Sequence, residues 1–163
     1  DDNINGQNGS DVLDGGTGND DINGQQGNEY LYGGDGDDKL QGQEGNDVIF
    51  GGAGNDAITG GLGNDWLYGE AGADVFKYSN ANEALDVIVN FQPGTDKLEF
   101  SGAITGGGAT YSLVQVDTDN RGGADSTLVR VASKGAAAGG TLTDMVVLLG
   151  VTSVAATDIL WNA

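Results

Sequence analysis

The chain contains no cysteine and no histidine. Disulfides therefore contribute nothing to its stability. The commonest transition-metal ligand and the usual catalytic base near neutral pH are also missing. Proline occurs once, at Pro93, and 6 basic residues face 25 acidic ones, a formal net charge of −19. Such an acidic surface argues against nucleic acid, anionic membranes and acidic polysaccharides as direct partners. The apolar residues never form the run of about 18 that a membrane-spanning helix needs, and the N-terminus does not read as a secretory leader. Carboxylates are the only chemistry-bearing groups present in number, and no nucleophile arrangement accompanies them. The chain is not expected to be an enzyme.

Glycine is abundant, 31 of 163 residues, and its spacing is regular. From Gly6 to Lys77 one nine-residue phrase recurs eight times: GQNGSDVLD, GGTGNDDIN, GQQGNEYLY, GGDGDDKLQ, GQEGNDVIF, GGAGNDAIT, GGLGNDWLY and GEAGADVFK. Positions one and four are Gly in every copy. Position six is Asp in seven copies and Glu29 in the other. Position eight is Leu13, Ile22, Leu31, Leu40, Ile49, Ile58, Leu67 or Phe76. Asp1 to Asn5 fit the last five positions of a ninth copy, so the chain is expected to be a piece of a longer protein.

Each fixed position has a physical role. Glycines at one and four let the backbone take φ > 0 and fold back tightly with its carbonyls turned inward. Position six adds a carboxylate to the same concavity. Position eight lies in a short strand whose neighbours, at seven and nine, point to the opposite face. Two units make one coil with a strand on each side. Stacked coils then give two parallel sheets enclosing the position-eight side chains, stable only as an array. One apolar side chain per unit cannot offset the roughly 1–2 kcal/mol that ordering each backbone residue costs. A ligand must hold the turns, and carboxylates with carbonyls select a hard cation such as Ca2+, which takes about six to eight oxygens. The 16 acidic and 2 basic residues of 1–77 give that half a net charge of −14, against −5 for 78–163.

The repeat resembles the RTX nonapeptide, G-G-x-G-x-D-x-U-x, of calcium-binding parallel β-rolls in bacterial exoproteins. The resemblance implies an all-β chain: an RTX roll over 1–77 and a β-sandwich-like C-terminal capping region over 78–163. It also implies about six internal Ca2+ sites, with one or two more at the ends, each between alternate turns and each a cage of carbonyls and position-six carboxylates. Carried onto this sequence, one side pairs Gly16, Gly18 and Asp20 with Gly33, Asp35 and Asp38. It next pairs Gly34, Gly36 and Asp38 with Gly51, Ala53 and Asp56, then Gly52, Gly54 and Asp56 with Gly69, Ala71 and Asp74. The other side pairs Gln7, Gly9 and Asp11 with Gly24, Gln26 and Glu29. It next pairs Gln25, Gly27 and Glu29 with Gly42, Glu44 and Asp47, then Gln43, Gly45 and Asp47 with Gly60, Leu62 and Asp65. Asp2 would help form a further site above Asp20. Six bound Ca2+ would bring the first half from −14 to −2.

Two departures bear on this scheme. Glu29, shared by two sites, either pushes its turn outward or changes denticity, and both sites are expected to be weaker. Position two is Gln in repeats one, three and five but Gly in two, four and six. Either Gln is tolerated there at negative φ, with only its carbonyl used, or it marks one face for packing or contact. Tyr30, Tyr32, Phe50, Trp66 and Tyr68 occupy positions seven and nine and point outward in this scheme. Either they form a contact surface or the C-terminal half folds back over them, which is the expectation.

From Tyr78 the register fails. Short alternating strands are predicted over Asp86–Phe91, Asp96–Phe100, Tyr111–Asp117, Thr127–Ala132, Asp144–Leu149 and Asp158–Trp161, with glycine-rich breaks between them. Asp86 to Ser101 is similar to the D-x-I-x-D-F-x-x-G-x-D-K-I-D-L-S stretch that follows RTX repeats, with Asn90 and Glu99 standing where that pattern has Asp. The resemblance makes Asp86 and Asp96 candidates to complete the last calcium sites. Asp117 to Asp125 has the spacing of a calcium loop, but a polar hairpin turn is the preferred reading. Asp158 to Ala163 resembles the C-terminal signal of type I secretion substrates.

The resemblance thus implies a secreted or cell-surface calcium-binding module. It would be unfolded where Ca2+ is scarce, exported by the type I secretion machinery, and folded outside the cell. The alternative is a cell-surface adhesin or ligand-binding module, with an extracellular ligand met through the parent protein.

Overall fold

A large apolar residue at every ninth position needs a common interior, and the backbone supplies one by closing a coil every eighteen residues. In the computed structural model, which describes residues 1–79, 85–100, 110–116, 126–132, 143–149, 151 and 153–161, Ile22 lies beside Leu40 and Leu40 beside Ile58. Leu31, Ile49 and Leu67 stack in the same way on the other side. The strands are β1 (Asn3–Asn5), β2 (Val12–Thr17), β3 (Asp21–Gln26), β4 (Tyr30–Asp35), β5 (Lys39–Glu44), β6 (Val48–Ala53), β7 (Ala57–Leu62), β8 (Trp66–Ala71) and β9 (Val75–Tyr78). Odd-numbered strands pair in parallel in one sheet and even-numbered strands in the other. This is a parallel β-roll.

Side chains at position eight from Ile22 to Phe76 are fully buried, whereas Ile4 and Leu13, at the edge of the stack, are only partly covered. Alternation along each strand places positions seven and nine outside, as the two-residue period of a strand requires.

The coil continues beyond Tyr78. Strand β10 (Asp86–Val89) pairs in parallel with β8, and β11 (Lys97–Phe100) with β9. Ile88 and Leu98 extend the two apolar columns. Beyond them lie β12 (Thr110–Val116), β13 (Ser126–Ala132), β14 (Thr143–Leu149) and β15 (Ile159–Trp161). Strand β14 joins β10 in parallel and carries β13 and β12 as an antiparallel pair, while β15 joins β11 in parallel. All six predicted strands are present within one or two residues of the expected limits. The described strands extend the two sheets of the roll instead of forming a separate sandwich cap. They do so because Ile88, Leu98, Leu148 and Ile159 carry the same inward apolar column forward.

The described residues of this half do not cover the outward aromatics. Tyr30, Tyr32 and Trp66 remain 48%, 37% and 45% exposed. Tyr32, Phe50 and Tyr68 stack on one another with ring centroids 5.1 and 4.6 Å apart. Extension of the sheets along the roll axis leaves that face open.

Candidate metal centre

The position-six carboxylates form two columns inside the turns. In one, the main-chain amide of each Asp donates to Oδ1 of the Asp one coil later: Asp20 to Asp38 at 2.8 Å, Asp38 to Asp56 at 2.9 Å, and Asp56 to Asp74 at 3.0 Å. Asp2 stands at its start, donating to Asp20, and Asp96 continues it, accepting from Asp74 at 3.1 Å. In the other column Glu29 donates to Asp47 at 2.9 Å, Asp47 to Asp65 at 2.8 Å, and Asp65 to Asp86 at 3.0 Å.

Except at Asp96, whose Oδ2 accepts the Gln92 amide at 2.7 Å, one carboxylate oxygen is thus committed to the backbone and the other is not. Oδ2 of Asp11, Asp20, Asp38, Asp47, Asp56, Asp65 and Asp74 has no partner and is shielded from solvent. Both carboxylate oxygens of Glu29 lack partners. No hydrogen bond joins the Asp11 amide to Glu29, whereas each later carboxylate of that column accepts the amide one coil before it. Buried oxygens are normally paired, so this set calls for a cation.

The glycines at position one complete the cradle. A Cβ added to Gly51 would lie 2.3 Å from Asp56 Oδ2 and 2.8 Å from the Gly69 carbonyl oxygen. Gly33 stands in the same relation to Asp38 and Gly51, Gly42 to Asp47 and Gly60, and Gly24 to Glu29 and Gly42. Free carboxylate oxygen and carbonyl therefore converge where only a hydrogen atom fits.

The remaining residues of the expected cages lie at matching levels of the stack. Gly16, Gly34 and Gly52 are in register, as are Gln25 with Gln43, and Gln7 lies one coil before Gln25. The position-three carbonyls of Asp35, Ala53, Ala71, Gln26, Glu44 and Leu62 accept the amides of Gly18, Gly36, Gly54, Gly9, Gly27 and Gly45. Each keeps a second lone pair for a cation. Among the described residues no three acidic side chains meet at one point. Each gap is faced by two carboxylates one coil apart, so carbonyls must supply the remaining ligands. Hard oxygens alone, in a loose cage, suit Ca2+. Asp117–Asp125, read as a polar hairpin turn in preference to a calcium loop, lies outside the described residues.

Electrostatics point the same way. Burial, followed by the neighbouring carboxylates, pushes Asp56 up to about 6. Burial first, with the Asp47 carboxylate behind it, brings Asp65 to about 6, and burial with Asp47 and Asp11 brings Glu29 to about 7. Asp38, Asp47, Asp74 and Asp96 are raised as well, burial being the main cause in each. Stacked anions in a dry turn are costly, and a divalent cation between them reverses that cost.

Two features were not read from the sequence. Position five forms a second, outer ladder: Asn28 Oδ1 accepts the Asn46 amide at 2.7 Å, Asn46 that of Asn64 at 2.8 Å, and Asn55 that of Ala73 at 3.0 Å. Its signal is Asn at that position in five of the eight copies. The left-handed residues of the repeats stand at positions two and four, not at one and four as expected, so position two departs from the expected negative φ. Gln7, Gln25 and Gln43 have φ of 70°, 76° and 82°, because the turn needs a left-handed residue there whatever its side chain.

The model of the RTX calcium-binding nonapeptide repeat matches residues 1–28, 23–58 and 51–78. Residues 1–78 belong to the RTX calcium-binding repeat family. A comparison with curated proteins gives no match. Among solved structures, the RTX roll and its continuation are similar to the R3 subunit of the Azotobacter vinelandii mannuronan C5-epimerase AlgE6, at 27% identity over 97% of this chain and 78% of that one, with a TM-score of 0.36. They are also similar to the R2 subunit of that enzyme, at 27% identity over 94% and 92%, with a TM-score of 0.35. Among the described residues no helix is long and apolar enough to cross a membrane.

Proposed function

We propose that this chain is a calcium-triggered folding module of a larger exoprotein. The observation that carries this reading is the two columns of buried carboxylates, in which Asp20, Asp38, Asp47, Asp56, Asp65 and Asp74 each keep an oxygen that no hydrogen bond among the described residues satisfies. At low Ca2+ the columns repel and the roll opens, leaving a chain able to thread the type I secretion machinery. At about 1 mM Ca2+ and a site affinity near 0.1 mM, each site contributes about 1.4 kcal/mol. Six sites reach about 8 kcal/mol, comparable to the stability of a whole domain. The expected ligands are the cage residues named above, with Asp86 and Asp96 completing the last sites. Residues 78–163 continue the roll and carry the export signal at Asp158–Ala163, and the module works outside the cell or at its surface. Its role is structural and regulatory, without chemistry on a substrate. Far-UV circular dichroism tests this, starting in chelator and adding Ca2+, with Mg2+ as control. A cooperative gain of β-structure with Ca2+ alone is expected. A chain fully folded in chelator would sink the proposal.

A second reading, a surface that takes an extracellular ligand once folded, is favoured by the open outer faces of the roll, where Tyr30 and Trp66 stay about half exposed.

A further inference from the structure

The outer face of the sheet of odd-numbered strands carries two adjacent rows of side-chain amides, beside a row that holds Asp21, Lys39 and Ala57. Asn5, Asn23 and Gln41 lie in one row, and Gln7, Gln25 and Gln43 in the next. Two grooves of about 300 and 290 Å3 run along this face and share Gln43 and Glu44. They form one trough that passes Asn8, Asn23 and Gln26 at one end and reaches Thr59, Leu62 and Ser79 at the other.

Backbone strain singles out this side. The same position on the other side is Gly16, Gly34 and Gly52, which take the left-handed conformation freely, and only Glu70 departs. Three successive glutamines hold φ of 70–82° here, a region L side chains rarely adopt. Glycine would serve the turn better, so the glutamine side chain is kept for something other than the turn.

The amides do not close on one another as a structural ladder would. Gln25 Nε2 donates to Asn5 Oδ1 at 2.6 Å, and Gln26 Nε2 reaches Glu44 at 3.4 Å. No bond joins Gln7, Gln25 and Gln43 to each other, and Asn23 Oδ1 is shielded from water without a partner.

We propose that this trough binds a neutral polysaccharide chain lying along the roll axis. The inference rests on the second reading above and names its ligand class. Each amide offers two donors and an acceptor, which suits adjacent hydroxyls that both donate and accept. Successive amides recur about every 4.8 Å across the sheet, close to the advance of one pyranose ring along a glycan. No cation in the trough would receive an anionic ligand. Its charged lining residue is Glu44, and the nearby Lys39 is paired with Asp21 at 2.8 Å. The apolar content is Leu62 at one end, too little to anchor a protein partner.

The test uses the full chain saturated with Ca2+. Cellohexaose, maltohexaose and a hexauronate are titrated by calorimetry and by the side-chain amide signals in NMR spectra. Binding of at least one neutral hexasaccharide is expected, with shifts at Gln41 and Gln43, and the hexauronate should bind at least tenfold more weakly. The double variant Asn23→Ala, Gln41→Ala, at lining residues outside the expected calcium cages, should lose affinity by about tenfold or more, while its calcium midpoint for folding stays the same. A shift in that midpoint would show that these amides serve the roll, and would overturn the proposal. So would unaltered glycan binding by the variant, equal binding of the hexauronate, or silence from both neutral probes. Failure of the calcium reading would appear separately, as folding indifferent to Ca2+.

Discussion

The main-chain amide of Asp65 donates to Oδ1 of Asp86 at 3.0 Å, across 21 residues. Every earlier link in that column spans 18. The coil has lengthened, yet the carboxylate returns to the same place in the stack. Asp86→Asn keeps an acceptor for that amide and removes the charge. It should cost about one site's worth of calcium stabilisation, roughly 1.4 kcal/mol at 1 mM Ca2+. Asp86→Ala should cost about 1–3 kcal/mol more, because a buried amide is then orphaned. Urea unfolding of the two variants at fixed Ca2+ separates these terms, and equal losses would contradict the relay.

That lengthening explains what was legible in the sequence. From Gly6 to Lys77 every inward side chain and every turn carboxylate falls on a nine-residue clock, so columns, sheets and core follow directly. The links Asp65–Asp86 and Asp74–Asp96 span 21 and 22 residues. The clock stops while the stack goes on, and only the resemblance around Asp86 and Asp96 pointed to them. The left-handed Gln7, Gln25 and Gln43 were not legible, because a side chain that costs strain looks in sequence like one that is tolerated. The Asn ladder at position five was visible as a bias but had no assigned role until the coils were stacked.

Glu29→Asp should stabilise the calcium-loaded roll. The shorter carboxylate can accept the Asp11 amide, as Asp47 accepts that of Glu29. One recovered hydrogen bond contributes about 0.5–1.5 kcal/mol. Calcium-saturated thermal melts should move upward, and a fall would mean that both Glu29 oxygens serve a cation better than an aspartate could.

Two glycine substitutions should differ sharply. At Gly51 an added methyl meets Asp56 Oδ2 and the Gly69 carbonyl, whereas at Gly16, with φ of 89°, it meets nothing within 4 Å. Gly16→Ala should cost about 1 kcal/mol of backbone strain. Gly51→Ala should in addition remove calcium binding at its cradle. Calorimetric stoichiometry distinguishes the two, and loss of one site in each would contradict the geometry.

The calcium-free chain should gain stability as pH falls from about 7.5 to 5. Glu29 at about 7, and Asp56 and Asp65 at about 6, hold protons in the roll that the unfolded chain has already released. The folded state thus binds more protons, and stability declines as pH rises through those values. Asp158 works in the opposite sense. Burial pushes it up, but Lys97 at 2.8 Å and the amides of Ala155 and Gly94 outweigh that and hold it low. Its contribution is present above the unfolded carboxylate range and is lost as pH falls through its lowered value. Circular dichroism in chelator across pH should show β-structure rising toward pH 5. A fold that weakens steadily below pH 7 would contradict this.

The central claim is that cations, not side-chain packing, hold the carboxylate columns together. Hydrogen exchange at the amides of Asp38, Asp47, Asp56 and Asp65, compared in Ca2+ and in chelator, tests it most directly. These amides bond the next carboxylate in each column. The account predicts slow exchange with Ca2+ and free exchange without it, while Mg2+ leaves them unprotected. Equal protection in chelator would contradict it.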